Sequence, residues 1–371
     1  MSRRHLEKVL TGEARGALSW LIRGVLWPFS VMYCAGLAVY LVFRTRTRLD
    51  VPVLSVGNLT FGGTGKTPVV QAICRILQAR GLRVAVLSRG HGGSACGTLL
   101  VSDGENLLAD ASAAGDEPVF LASTLPGVAV AVGKDRRKSG SMVIGRLHPD
   151  VIVLDDGLQY WQLHRELDIA VLDATRPFGS GLVMPAGDLR EPTRGLCRAG
   201  IILLNHSQTL TDGEYNTMLE RLRFLAPNAT VFRCHPRPIS LTRVSDKESI
   251  PVEWLKGRRV TVFCGIGKPS AFIDNLTAQG AKVVDALVFA DHHAYTPQDL
   301  DLVERRSHES GAQAIVTTEK DIARLGEINL TNELYTLGIE IEIERSKEFA
   351  ETLIRGIGKT DSKAASAQAN H

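Results

Sequence analysis

Thr60-Phe61-Gly62-Gly63-Thr64-Gly65-Lys66-Thr67 is a stretch whose residue types suit one task, holding a chain of phosphates. Glycines at 62, 63 and 65 let backbone amides converge on phosphate oxygens, and a helix starting just after them adds the positive end of its dipole. Lys66 would reach the β- and γ-phosphates, and the Thr67 hydroxyl would ligate Mg²⁺. Residues 60–67 therefore read as a P-loop for a nucleoside triphosphate, ATP. One departure stands out: G-x-x-x-x-G-K-[ST] has glycine where this chain has Thr60. The competing reading is a Gly-rich turn that happens to contain Gly-Lys-Thr.

Other residues invite similar questions. Asp155-Asp156 closes the apolar run Val151-Ile152-Val153-Leu154, and a carboxylate ending a buried strand beside the P-loop strand is where Mg²⁺ is held. Gly115-Asp116-Glu117-Pro118 precedes an apolar helix, where Asp and Glu also suit an ordinary first turn. The residues alone leave Asp116 open between those roles. In Asp291-His292-His293 the adjacent rings project differently, which disfavours a shared metal and favours pairing with a carboxylate. Arg136 and Arg137, flanked by Lys134 and Lys138, and Arg190 in PAGDLREP are candidate phosphate clamps, with solvated surface charge as the alternative.

The elements that must position these groups alternate along the chain. Apolar β-branched runs at residues 51–56, 82–88, 128–132, 151–154, 169–172 and 201–204 read as strands, and residues 68–80 as a helix ended by Gly81. Such alternation predicts an α/β fold, a P-loop NTPase-like parallel sheet flanked by helices. A polar, Pro-containing stretch at 235–252 reads as the junction to a smaller second α/β lobe, with strands at 260–264, 279–287 and 314–318. The expected division is an anchor region at 1–50, a P-loop core at 51–240, the second lobe at 241–358 and a disordered tail at 359–371.

Residues 17–43 are 27 residues with a single charge, Arg23. As a helix they would be roughly 40 Å long against a hydrocarbon core of about 30 Å. A cleaved signal peptide is disfavoured, because no small-residue cleavage site follows. A simple span is disfavoured by basic residues at both ends and by Pro28 and Arg23, which would interrupt it. Trp20, Trp27, Tyr33 and Tyr40 favour a monotopic membrane-surface anchor over a buried core helix. Residues 1–50 hold eight Lys/Arg against three acids, an excess of +5, so the remainder sums to −2 of the total +3. That distribution points to anionic headgroups and not to nucleic acid. Six scattered cysteines without a C-x-x-C fit a reduced, cytoplasmic compartment.

GNLTFGGTGKTP, SRGHGG, GDEP, VIVLDDGLQ, PAGDLREP, FCGIGKP, FADHHAY and TTEKD occur in this order. With the N-terminal apolar helix, this series resembles the tetraacyldisaccharide 4′-kinase family, the lipid A pathway kinases, from the anchor to about residue 325. The family P-loop reads this way, which accounts for Thr60; His91 stands where the family usually has Tyr. The resemblance implies ATP- and Mg²⁺-dependent phosphorylation of the 4′-hydroxyl of a tetraacylated glucosamine disaccharide 1-phosphate at the cytoplasmic face of a bacterial inner membrane. It implies Asp116 as the base on the sugar hydroxyl, paired with His292. Lys66 and Thr67 would serve phosphates and metal, Asp155 and Asp156 the Mg²⁺, and Arg136 and Arg190 the phosphate charge. It implies a membrane-lipid substrate and no obligatory protein partner. The alternative is a membrane-associated P-loop ATPase switch, disfavoured because Phe61 stands where such proteins carry lysine in K-G-G-x-G-K-T. A GTPase is disfavoured by the lack of N-K-x-D, and a small-molecule sugar kinase would leave the apolar segment unexplained.

Overall fold

Short β-branched runs ended by glycines and acidic turns build the frame of this protein, whose computed structural model describes residues 8–14, 16–291, 293–325 and 330–358. The expected tail at 359–371, with Arg3, Arg4 and Arg15, lies outside the described residues. The chain divides into two compact units, Met1–His235 with Glu342–His371, and Pro236–Ile341.

In the first unit the strands are β1 (Val53–Gly57), β2 (Val84–Ser88), β3 (Leu99–Ser102), β4 (Ala129–Val132), β5 (Val151–Asp155), β6 (Leu167–Asp173), β7 (Ile201–Asn205) and the start of β8 (Thr230–Arg243). Their order is β8-β7-β6-β1-β5-β2-β4-β3, parallel except for β3 against β4. Every residue of β1, β2, β4, β5, β6 and β7 is buried, as a parallel sheet covered on both faces requires. Strand β1 lies between β5 and β6, with Val56 opposite Asp155, so the P-loop and the acidic pair leave the sheet side by side.

The covering helices include α1 (Ala17–Phe43), α2 (Lys66–Ala79), α3 (Asp116–Thr124), α4 (Arg136–Leu147) and α5 (Asp212–Leu225). Helix α2 buries Val69, Val70, Ile73, Cys74 and Leu77, the i, i+3, i+4 stripe of an amphipathic helix. It starts at Lys66, ahead of the expected position 68, because Gly65 adopts φ 83° and turns the chain directly into it. Helix α1 runs unbroken through Pro28, contrary to the expected interruption, and is the one described helix long and apolar enough to span a membrane. A lone proline removes one hydrogen bond, a cost that the other turns of so long a helix outweigh.

The second unit holds β9 (Ser249–Ile250), β10 (Arg259–Cys264), β11 (Lys282–Val288), β12 (Ala314–Thr318) and most of β13 (Leu334–Ile343). The order β11-β10-β12-β13 is parallel, with β9 antiparallel to the end of β8. The stretch expected as a polar junction is thus largely strand. Pro236 and Pro238 follow the last register pair of β8 with β7, Asn205 with Cys234, so their missing N–H groups break no bond to that neighbour. Helices α6 (Pro269–Ala278), α7 (Pro297–Glu309) and α8 (Glu319–Ile322) complete it. The chain then re-enters the first unit as α9 (Ser346–Gly356), which the sequence reading assigned to the second lobe. Phe349 meets the Phe232 ring edge-on at 5.3 Å, which anchors α9 to β8.

Two motifs of the second unit converge on one carboxylate. Asp321 of TTEKD is fully buried and accepts hydrogen bonds from the Gly265 amide at 3.1 Å, the Tyr295 hydroxyl at 3.0 Å and the Thr318 hydroxyl at 2.6 Å. The Arg324 guanidinium lies 3.5 Å from it and also donates to the Gly265 carbonyl. FCGIGKP and TTEKD are therefore joined in one buried polar knot. Removing a buried ionic partner costs about 3–5 kcal/mol. Asp321→Ala is expected to speed amide hydrogen exchange at Gly265 on the order of a hundredfold or more. Unchanged exchange there would show that the knot does not hold the loop.

Candidate active site

The P-loop is shaped by what surrounds it. A Cβ on Gly57 would come within 2.5 Å of the Leu158 side chain and 2.7 Å of its amide, so the chain leaves β1 as glycine. Asn58, buried at the turn, donates to the Thr60 carbonyl at 2.8 Å and accepts from Lys66 Nζ at 3.1 Å. Across the loop, Asn205 at the end of β7 donates to the Thr64 carbonyl at 3.0 Å. A Cβ on Gly65 would sit 2.5 Å from that same nitrogen, so residue 65 is bound to glycine by both its dihedral and its neighbour. Around Gly62 and Gly63 a Cβ would meet nothing within 4 Å, leaving open space beside the amides for anionic oxygens.

Asp155 and Asp156 are adjacent but electrostatically unlike. Asp155 is buried, takes a hydrogen bond from Ser88 at 3.1 Å, and its carboxyl is pushed up to about 6 by burial and then by the charges of Glu117 and Asp156. Asp156 sits in the left-handed region at φ 53°. Arg190 Nη1 binds both its oxygens at 2.8 and 2.7 Å, and Lys66 Nζ lies 3.5 Å away. Burial alone would raise its pKa, yet Lys66 and Arg190 outweigh burial and hold it below the usual carboxylate value. Thr67, buried at the start of α2, has its hydroxyl 3.5 Å from Glu117 Oε1. Crowded carboxylates with one member driven toward neutrality fit a divalent cation, which would relieve that repulsion.

The motif PAGDLREP turns out to be the far wall of this site. Phe61 N donates to the Asp188 carbonyl at 2.8 Å and Arg190 N to the Leu59 carbonyl at 2.7 Å, so this segment lies along the first half of the P-loop. A Cβ on Gly187 would strike the Leu182 carbonyl at 2.2 Å. The Asp188 side chain holds Ser180 N and Oγ at 2.7 and 2.8 Å. Arg190 stacks over the Phe61 ring at 5.2 Å while it reaches Asp156. Glu191, buried, accepts from Arg198 and from Gln159 Nε2 at 2.7 Å, and Gln159 also donates to the Asn58 carbonyl at 2.9 Å.

The neighbouring arginines of the basic cluster part company. Arg137 forks onto Asp135 at 2.9 and 2.8 Å, while Arg136 is buried with its guanidinium 4.7 Å above the Tyr160 ring. Burial lowers the Arg136 pKa, and Tyr160, Asp156, Arg89 and Asp155 are the groups whose charge it senses. Lys134 and Lys138 are exposed. Asp116 opens α3 behind Gly115, whose φ is 92° and where a Cβ would strike the His91 carbonyl at 2.3 Å. The SRGHGG loop is thereby pressed against GDEP, with the His91 side chain exposed. His292 lies outside the described residues. Its neighbour His293 bonds Asp299 at 3.0 Å and stacks on Phe289 at 4.8 Å, the carboxylate pairing that the sequence suggested for this motif.

Lys66, Thr67, Asp155, Asp156, Arg136 and Arg190 are thus gathered at one end of the first unit's sheet. Sequence reading missed Asn58, Ser88, Gln159, Glu191 and Asn205. Each stands at or near the end of a strand or inside a quoted motif, but a lone amide or hydroxyl has no spacing signature.

The family model described as tetraacyldisaccharide-1-P 4′-kinase matches residues 22–357. A tetraacyldisaccharide 4′-kinase of Syntrophus aciditrophicus is 38% identical over 344 residues, covering 88% of this chain and 90% of that protein. One from Pelobacter propionicus is 41% identical over 323 residues, covering 85% and 86%. The crystal structure of LpxK from Aquifex aeolicus in complex with ATP aligns with TM-score 0.71 and 31% identity, over 90% of this chain and 99% of that one.

Asn205 supplies a test of the geometry. Asn205→Ala removes one hydrogen bond to the loop and is expected to weaken ATP binding about tenfold. Asn205→Asp would set an acceptor against the Thr64 carbonyl and is expected to lose more. Titration of both variants with ATP measures this, and wild-type affinity in both would mean that the loop keeps its shape unaided.

Proposed function

The chain belongs to the tetraacyldisaccharide-1-P 4′-kinase family, and from that premise we infer how its residues divide the reaction. It is an ATP-dependent kinase that phosphorylates the 4′-hydroxyl of a tetraacylated glucosamine disaccharide 1-phosphate, giving the 4′-phosphorylated lipid A precursor. The reading as an ATPase switch receives no support from these relatives.

An alcohol attacks the γ-phosphorus poorly until its proton has somewhere to go. In this reading Asp116 takes that proton as the new P–O bond forms and the bond to the β-phosphate oxygen breaks, releasing ADP. His292, by the family pattern, belongs to the same proton-transfer step. The observation that carries the proposal is Lys66, held between Asn58 at 3.1 Å and Asp156 at 3.5 Å, in the P-loop position whose lysine would meet the γ-phosphate of a bound nucleotide. Arg190 and Arg136 add positive charge beside it. Mg²⁺ bound with the nucleotide would neutralise phosphate charge, and Thr67 and Asp155 fit it as ligands. Asp156, already shared by Lys66 and Arg190, lies next to them. Most of the barrier lowering would then come from positioning and charge stabilisation.

The substrate is a lipid, and α1 is the element suited to meet its membrane. Its only buried residues are Ser19 and Ser30, while Trp20, Trp27, Phe29, Met32 and Phe43 are exposed. Ser30 and Tyr33, near the middle of the helix, bond to the main chain of residues 183–190. That attachment favours a helix lying in the cytoplasmic membrane surface over one crossing it, since a spanning helix would have its midpoint in hydrocarbon.

Incubation with γ-labelled ATP and the lipid disaccharide should yield labelled lipid, and release of phosphate without it would refute the kinase reading. Lys66→Ala is expected to lower turnover by about 10²–10³. Asp116→Asn should depress kcat with ATP-Mg²⁺ binding near normal, whereas Asp155→Asn should raise the Mg²⁺ requirement. If Asp116→Asn shifts only the Mg²⁺ titration, Asp116 is not the base.

A further inference from the structure

Helix α1 is inside out. The residues of α1 that are not exposed recur at 19, 22, 23, 26, 30, 33, 34, 37 and 38, a helical stripe that carries four polar or charged side chains, Ser19, Arg23, Ser30 and Tyr33. Thirteen large apolar side chains of the helix are exposed, and both of its buried residues are serines. A helix serving only as a membrane hook needs no specific polar seat on the enzyme, yet here the seat is specific. Ser30 Oγ donates to the Val183 carbonyl at 2.8 Å and accepts from the Ala186 amide at 3.0 Å. Tyr33 OH donates to the Arg190 carbonyl at 2.9 Å.

Those three contacts fall on the one segment that walls the P-loop. Residues 182–189 form a tight loop, with Met184 N bonded to the Leu189 carbonyl at 2.9 Å and Leu189 N to the Leu182 carbonyl at 3.0 Å. From there Arg190 N reaches Leu59, and the Arg190 guanidinium reaches Asp156 at 2.7 Å. Arg190 is thus gripped at its carbonyl by Tyr33, at its amide by the P-loop, and at its side chain by the acidic pair. Loss of the first grip frees the backbone from which the guanidinium is aimed.

We propose that Tyr33, with Ser30, is a positioning residue of the active site: through the Arg190 main chain it sets where the Arg190 guanidinium stands, so that docking of the membrane helix helps assemble the phosphate-transfer site. The helix then has two separable faces. Its apolar outside brings the enzyme to lipid, and its polar stripe acts on turnover even where no bilayer is present. This rests on the reading of Arg190 as a group of the transfer site, and the experiment must separate the two.

The test uses the full chain with the lipid acceptor either dispersed in detergent or embedded in vesicles. Tyr33→Phe keeps the ring and deletes the donor. It is expected to lower kcat about fivefold in both formats, with KM for ATP within about twofold of wild type and unchanged vesicle binding. Arg190→Gln should lower kcat further, and the double variant should be no worse than Arg190→Gln alone, because one residue acts through the other. Trp20→Ser and Met32→Ser, on the lipid-facing side, should reduce vesicle turnover only. Wild-type kcat for Tyr33→Phe beside an impaired Arg190→Gln would overturn the coupling while leaving Arg190 its role. Multiplying losses in the double variant would overturn it too. Wild-type kcat for Arg190→Gln would instead overturn the reading of Arg190, and the coupling with it.

Discussion

Asp156 shares its charge with two cations, Lys66 from the P-loop and Arg190 from the segment opposite, while Asp155 one residue earlier faces no comparable partner. The arrangement of the site follows from that asymmetry. One carboxylate is saturated and serves as a hub that fixes a lysine and an arginine in register. The other is buried among like charges, with its carboxyl pushed up to about 6, and a divalent cation would relieve that repulsion. The left-handed backbone of Asp156 makes the split geometrically possible, since it turns the second side chain away from the strand direction of the first. Glycines 57 and 65 and the amides of Asn58 and Asn205 then hold the loop at the distance that lets Lys66 reach the hub.

Helix α1 extends the same logic outward. Each large apolar side chain transferred from water gains about 1.5–3 kcal/mol, and α1 leaves thirteen of them exposed. One of them, Tyr40, meets the Trp161 ring edge-on at 6.4 Å and still stays exposed, whereas Ser30 and Tyr33 are turned inward to bond main-chain groups. That reversal of the usual amphipathic order suits a helix whose outer face meets lipid. A polar stripe is also the better mount for a precise seat: hydrogen bonds to carbonyls fix the rotation of a helix about its axis, which apolar contact does not.

In the second unit, motif and chemistry separate. FCGIGKP and TTEKD are as distinctive in sequence as the P-loop, but their best-defined contacts are with each other through Asp321. A buried carboxylate with three hydrogen-bond donors and an arginine is a structural knot. Similarly, His293 of the histidine pair is committed to Asp299, which also caps α7.

The sequence by itself determined the strand–P-loop–helix unit, the acidic pair, most strands of the sheet and the exceptional character of residues 17–43. These are signals of local pattern, carried by glycine spacing, apolar runs and a charge-free stretch, and local backbone geometry follows from them. It did not yield the strand at 230–243, because prolines and charges disguised a ladder that needs them only on one side. It did not yield α9 in the first unit, because Phe349 finds Phe232 across more than a hundred positions of chain. Nor did the residue pattern alone separate Arg136 from Arg137: both read as candidate phosphate clamps or surface charge until α4 turned one over Tyr160 and the other onto Asp135. Asn205, Glu191 and Gln159 were silent for the same reason, and Tyr33, read as a membrane-interface aromatic, bonds the Arg190 carbonyl instead. What a single polar side chain does depends on which carbonyl or carboxylate the fold brings within about 3 Å, and that distance is set by packing between distant segments, which only the tertiary structure decides.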